Sequence, residues 1–379
     1  MKIRKTVKVF GFIFSFAICL MSILLISNYI EVNAAPDLNT YVYDKDDNDE
    51  RPVFLYKVIK NTEPYEVCLV GLDLDDSVTY PSITIPGTIT DSSGYTYYVT
   101  ELGDNGYSVY TYNINKLIIS ENIKAINKSA FQGYNINEVI FPESLTEIKE
   151  NAFFGASISS LNLKNTSVTA IGQKAFQYSS ITSIIFPDTL ETIGSYAFSN
   201  CTQLTGNLTI PNSVKEIGRY AFEECRGLNG NLVISTNICK IEDCTFFNCS
   251  GLTGNLIIPE GVKEIGVSSF AGCSGFNGNI TIPSGVITID NQAFNGCTGL
   301  IGNLTLPNTV TKIGDFAFYD CTGLSGDLSI SSNTTYIGTY AYICTHAHRD
   351  IQTHMYTDIH THRETYMDVH KYLHACPHR

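Results

Sequence analysis

One spacing constrains this chain more than any other feature. An isoleucine-type residue followed five positions later by an aromatic recurs along most of its length. The pairs are Leu102/Tyr107, Ile126/Phe131, Ile148/Phe153, Ile171/Phe176, Ile193/Phe198, Ile217/Phe222, Ile241/Phe246, Ile265/Phe270, Ile289/Phe294, Ile313/Phe318 and Ile337/Tyr342. From Ile193 onward the step is 24 residues every time, and before it 22 to 24. A period of that length marks stacked units, none of which can bury its apolar edge alone. Each unit carries one short alternating run, as in Leu208-Thr209-Ile210, which Pro211 ends. Equivalent runs lie at Val139–Phe141, Leu161–Leu163, Ile184–Phe186, Leu232–Ile234, Leu256–Ile258, Ile280–Ile282, Leu304–Leu306 and Leu328–Ile330. The expected fold is a right-handed, β-rich solenoid with one short parallel strand per 22–24-residue coil.

Within the unit, a glycine follows many of the isoleucines, at Gly194, Gly218, Gly266 and Gly314. The expected reason is a positive φ that a Cβ would strain. The Ala-Phe pair that comes next, as in Ala221-Phe222, supplies a recurring core layer on the convex side.

The units resemble BspA-type leucine-rich repeats, in the pattern strand–Ile-Pro–x-Ser-Val-x-x-Ile-Gly-x-x-Ala-Phe-x-x-Cys. Residues 207–225 and 279–297 show it well, and the resemblance covers roughly 81–342. The later units carry an extra Gly-Asn pair before the strand (Gly206-Asn207, Gly230-Asn231, Gly254-Asn255), which lengthens the coil. The resemblance implies a β-rich, α/β-type leucine-rich-repeat solenoid. It also implies a surface or secreted protein of adhesion or recognition, and it assigns no site.

The chain divides into four expected parts. Residues 1–34 read as a secretory signal peptide. Lys2, Arg4, Lys5 and Lys8 precede an apolar run from Val9 to Ile26, and Val32-Asn33-Ala34 offers a small-residue cleavage site. An uncleaved anchor is the rival, since the run is about as long as a bilayer needs. Ile18 before Cys19 argues against lipidation. Residues 35–100 form an acidic linker and N-terminal β cap, with strand-like runs at Pro52–Lys60 and Glu66–Gly71. Pro81–Pro86 reads as a first repeat-type strand, and Asp91-Ser-Ser-Gly94 as a hairpin turn. Residues 101–342 are the solenoid.

Residues 343–379 hold all eight histidines, in alternation with Thr, Ile, Ala, Met and Val. An alternating purine–pyrimidine tract read in frame gives that pattern. The tail therefore reads as low-complexity, disordered or frameshift-derived sequence rather than a metal-binding segment.

Chemistry is scarce. With no histidine before His346, residues 1–345 hold no Ser-His triad and no His-ligated metal. The acidic run Asp44–Glu50 has Asp49 and Leu55 where a calcium loop needs Gly and Glu, so it reads as a solvated turn. Residues 35–342 carry 16 basic and 32 acidic side chains, net −16, which speaks against nucleic acid as a partner. Cys201, Cys225, Cys249, Cys273, Cys297 and Cys321 step by 24 and should stack in one column as small buried side chains. A metal ladder fits less well because a single column does not converge. Disulfides also fit poorly, except locally between Cys239 and Cys244. Leu306-Pro307-Asn308-Thr309-Val310 has Val where a sortase signal has Gly, and reads as a strand end and turn. Asn207, Asn279 and Asn303 open Asn-x-Thr triplets that permit glycosylation in a eukaryote.

No enzyme class, cofactor or metal is expected. What is left is a surface. Strand alternation turns Leu208 and Ile210 inward, and Asn207 and Thr209 outward onto the concave face. The outward candidates for a protein-binding face are Asn207, Thr209, Asn231, Val233, Asn255, Ile257, Asn279, Thr281, Asn303 and Thr305, continuing to Asp327 and Ser329. The expected function is non-catalytic binding of a host or neighbouring-cell macromolecule, protein or glycan, by a secreted or cell-surface protein. No membrane span is expected after signal cleavage. A structural surface spacer, or a targeting module of an enzyme system, is the alternative.

Overall fold

The computed structural model describes residues 37–44, 53–74, 77–103, 112–325 and 330–342. The signal segment 1–34, most of the acidic run and the tail 343–379 lie outside the described residues, as do Asp327 and Ser329. Among the described residues the regular structure is β and turn without helix, and no helix is long and apolar enough to cross a membrane.

The coils stack through parallel ladders. The strand predicted in each unit forms at Leu208–Thr209, Leu232–Val233, Leu256–Ile257 and Ile280–Thr281. The Leu304–Leu306 run does not reach strand length. The structure adds a second ladder on the isoleucines. It joins Leu102, Ile126, Ile148, Ile171, Ile193 and Ile217, and after one interruption Ile241, Ile265, Ile289, Ile313 and Ile337. A third set of bonds links the phenylalanine corners, as in Phe222 N to Thr245 O at 2.9 Å and Phe246 N to Ser269 O at 2.8 Å.

The core lies inside these ladders. In one coil Leu208, Ile210, Val214, Ile217, Phe222, Cys225 and Leu228 are all buried. Burying a Leu, Ile, Val or Phe side chain contributes about 1.5–3 kcal/mol, so stacking supplies what one unit cannot. The rings from Phe131 to Phe318 form a continuous stack with centroids 5.0–5.7 Å apart. The cysteine column is buried and its thiols are free.

The glycine after the isoleucine has a different cause from the one expected. Gly194, Gly218, Gly266 and Gly314 do not have positive φ. A Cβ on Gly218 would lie 2.4 Å from Ser195 N, and one on Gly314 2.4 Å from Asn291 N. These glycines let one coil's backbone lie against the next. The left-handed residue comes two positions later and is not glycine: Tyr196, Tyr220, Cys244, Ser268, Gln292, Phe316 and Tyr340. Its N–H bonds the following coil, as from Tyr220 to Asp243 O at 3.0 Å, which offsets the cost of the conformation.

At the N-terminal end, Val53–Lys60 and Tyr65–Asp73 pair antiparallel, with Tyr41–Asp44 on their outer edge. Tyr65–Asp73 then pairs parallel with Thr96–Leu102, whose Leu102 opens the isoleucine ladder. Cap and coils therefore share one sheet. The hairpin turn forms as expected: Asp91 Oδ1 accepts from Ser93 N (2.8 Å) and Tyr95 N (3.0 Å), and Gly94 has φ +85°. Ile83–Ile85 pairs parallel with Asn113–Ile119 as a repeat-type strand.

Candidate functional site

All ten predicted face residues are exposed: Asn207, Thr209, Asn231, Val233, Asn255, Ile257, Asn279, Thr281, Asn303 and Thr305. Leu208, Leu232, Leu256, Ile280 and Leu304 between them are buried, so period-two alternation sorts the strand into two sides. The middle column includes two large apolar side chains in adjacent coils, Val233 at 50% and Ile257 at 58% exposure.

This face does not repeat every coil. Leu208–Thr209 pairs with Leu232–Val233, and Leu256–Ile257 with Ile280–Thr281. Between Val233 and Ile257 no such pairing forms, and on this face the bridge of Asn231 to Thr253 joins the coils. The glycines alternate in step. Gly206, Gly254 and Gly302 have φ near +80°, whereas Gly230 and Gly278 do not.

The asparagines alternate too. Asn207 Oδ1 accepts from Asn231 N, and Asn255 Oδ1 from Asn279 N, each at 2.8 Å. Asn231 and Asn279 themselves make no side-chain hydrogen bond among the described residues. One coil on, Asn229 Oδ1 accepts from Gly206 N (2.8 Å) and Asn277 Oδ1 from Gly254 N (2.9 Å). In the extra Gly-Asn pair, Asn207 and Asn255 thus hold their coils to the next one.

Where the pairing lapses, a shallow depression of about 460 Å³ opens, lined by Asn231, Val233, Gly254, Asn255, Ile257 and Asn277 among others. None of its lining residues is ionisable. Asn277 and the glycines Gly254 and Gly278 are members that strand alternation does not select. Their signal is the alternation Thr205, Asn229, Thr253, Asn277 before the glycine.

The remaining chemistry is structural. Each column cysteine donates Sγ–H to a phenylalanine carbonyl of the preceding coil, as from Cys249 to Phe222 O and from Cys273 to Phe246 O, both at 3.0 Å. Burial pushes the Cys225, Cys249, Cys273 and Cys297 thiols up. Cys239 and Cys244 are not joined: both are free thiols, Cys239 exposed and Cys244 half-buried. Among the described residues no group of His, Cys, Asp and Glu is arranged to hold a metal ion. Leu306–Val310 holds a turn, with Leu306 and Val310 buried and Val310 N bonded to Pro307 O, and the strand end expected there does not form.

The model of the BspA type leucine rich repeat region matches six copies, over residues 100–229, 169–297 and 277–362. Among solved structures, the pneumococcal vaccine antigen PcpA is similar at 22% identity and a TM-score of 0.53, with 80% of this chain and 86% of that one covered. A leucine-rich repeat protein of Bacteroides ovatus is 19% identical, with a TM-score of 0.44 over 78% of this chain and 92% of that one. No curated protein matches the chain. The likeness to PcpA concerns the fold. The repeat matches cover well over half of the residues, and the chain therefore belongs to the BspA type leucine rich repeat family.

Proposed function

We propose that this is an exported, non-catalytic recognition protein whose strand face binds an extracellular protein or glycan. The observation that carries the reading is the exposed pair Val233 and Ile257 beside an uncharged, amide-lined depression. Large apolar side chains held half out of water in adjacent coils gain by being covered. Export rests on the basic-then-apolar start of the chain, and on the description of PcpA, whose fold is similar, as a vaccine antigen.

The test is retention of extracellular-matrix proteins by the immobilised chain, repeated with Val233→Asp and Ile257→Asp. Retention by the parent, lost in both variants at unchanged melting temperature, is the expected result. Equal retention by the variants would remove the strand face from the reading. The surface-spacer alternative draws on the amides of Asn207 and Asn255, which serve the stack itself. It predicts no retention by any form.

A further inference from the structure

Tyr196 and Tyr220 stand at the same place in successive coils, two residues after Gly194 and Gly218. Both have the left-handed conformation, with φ +58° and +59°. Each backbone N–H bonds the coil that follows, Tyr196 N to Arg219 O at 2.9 Å and Tyr220 N to Asp243 O at 3.0 Å. Equivalent backbones in register send equivalent side chains out side by side. The two rings accordingly lie parallel to within 3°, with centroids 4.6 Å apart. That is closer than any pair in the phenylalanine stack, at 5.0–5.7 Å.

The phenylalanines are shut in the core, whereas both tyrosines are half-buried at the surface. Lys174 of the preceding coil holds its ammonium 5.8 Å from the centre of the Tyr196 ring, and Cys244 takes the equivalent position after Tyr220. The column therefore holds two phenols and no third. No other pair of tyrosines among the described residues is stacked. Tyr65 and Tyr95, Tyr112 and Tyr134, and Tyr319 and Tyr340 meet edge to face, at 85°, 69° and 81°. Tyr65 and Tyr97 are tilted by 50°, and Tyr97 is buried.

A stacked pair of phenols within reach of solvent has its own oxidative chemistry. A one-electron oxidant takes an electron and a proton from each phenol, and the unpaired electron left behind spreads onto the carbons beside the oxygen. Two such radicals in face contact join through a bond between those carbons. Each bonded carbon passes its hydrogen to its own ring's oxygen, which restores both hydroxyls. The chain loses two hydrogen atoms in all, and one hydrogen peroxide, consumed by a haem peroxidase, is reduced to water. An edge-to-face pair aims the rim of one ring at the face of the other and lacks this overlap.

We infer that Tyr196 and Tyr220 form a site of oxidative cross-linking, at which a haem peroxidase with hydrogen peroxide joins them as a dityrosine. The new bond ties two adjacent coils covalently.

The test is treatment of the dilute full chain with a haem peroxidase and limiting hydrogen peroxide, then tryptic mapping of the monomer. Trypsin cuts after Lys174, Lys215, Arg219 and Arg226, so Tyr196 falls in peptide 175–215 and Tyr220 in peptide 220–226. The two peptides should appear joined, two hydrogens lighter than their sum, with dityrosine fluorescence. Peptide 175–215 also holds Tyr178, which is 55% exposed. Tyr178→Phe should keep the joined peptide, whereas Tyr196→Phe and Tyr220→Phe should each lose it. Phenylalanine keeps the ring stack without the hydroxyl, so the melting temperature of these variants should stay near that of the parent. Absence of the joined peptide from the treated parent, or its survival in Tyr196→Phe, overturns the proposal.

Discussion

Five cysteines, from Cys225 to Cys321, each complete a carbonyl that the turn leaves half satisfied. Phe222 O accepts Cys225 N from its own turn at 3.3 Å and Cys249 Sγ from the next coil at 3.0 Å. The column thus acts as small apolar packing that also donates, a task alanine cannot perform. Cys249→Ala should cost about 1–3 kcal/mol, from an orphaned acceptor and a small cavity. Cys249→Ser should recover part of that in urea unfolding. The same burial sets a pH dependence. Cys321 rises from 9.0 to about 12 as burial disfavours its thiolate. A thiol raised in the folded state is protonated in both states below its unfolded value, so neutral stability is untouched. Above about pH 9 the unfolded chain alone ionises, and stability falls toward the folded values. Melting temperature should therefore be flat near neutrality and drop in alkali. Native alkylation should reach Cys239 well before the column.

Among the elements, the coil of residues 232–255 stands out. It has Ser235 where neighbours have Pro211 and Pro259, Glu242 where they have Gly218 and Gly266, and Thr245 where Ala221 stands. The isoleucine ladder is interrupted on its leading side, between Ile217 and Ile241, and the strand face on its trailing side, between Val233 and Ile257. Elsewhere bonds such as Lys263 N to Cys239 O and Gly266 N to Ile241 O, both 2.8 Å, close the ladder. Glu242 carries a Cβ at the position where Gly218 and Gly266 lie against the preceding backbone. That is not sufficient by itself, because Asp290 keeps its bond to Ile265 O at 2.9 Å. Here Ser235 Oγ and Asn237 Nδ2 bond Val214 O and Asn212 O, which ties the coil to its predecessor at the corner instead. In hydrogen exchange the amides of Cys239 and Glu242 should exchange at least about tenfold faster than those of Lys263 and Gly266. Ser235→Pro with Glu242→Gly should slow them. Equal protection in the parent would mean the ladder closes in solution.

At the scale of the molecule, one sheet runs from the cap into the coils, and the phenylalanine stack crosses the ladder interruption unbroken. Ion pairs between coils, such as Lys128–Glu150 and Lys215–Glu191, are largely exposed and contribute well under about 1 kcal/mol each. Residues 35–342 carry 16 more acidic than basic side chains, so repulsion outweighs these pairs. Added sodium chloride should raise the melting temperature, since screening relieves more repulsion than it weakens attraction. A fall would mean that the pairs dominate. Far-ultraviolet circular dichroism should show β and turn signal, and a predominantly helical spectrum would contradict the fold.

The period, the parallel stacking, the inward Leu-Ile-Phe layers and the exposed column from Asn207 to Thr305 are all determined by the sequence alone. Each follows from one local rule: apolar side chains repeated at a fixed step must face inward, and alternation along a strand sends their neighbours out. Tertiary structure decided the rest, because it depends on how one coil's backbone meets the next. The glycines after the isoleucines look locally like turn residues, and only the neighbouring backbone 2.4 Å from a Cβ shows why Gly218 is there. The second ladder has no alternating run to announce it, since it pairs two residues per coil, as Glu216–Ile217 does. The two-coil period of the strand face leaves just the trace Thr205, Asn229, Thr253, Asn277 in a 24-residue repeat. It lies in contacts between coils: Asn207 Oδ1 accepts from the next coil's Asn231 N, whereas the Asn231 side chain makes no such bond.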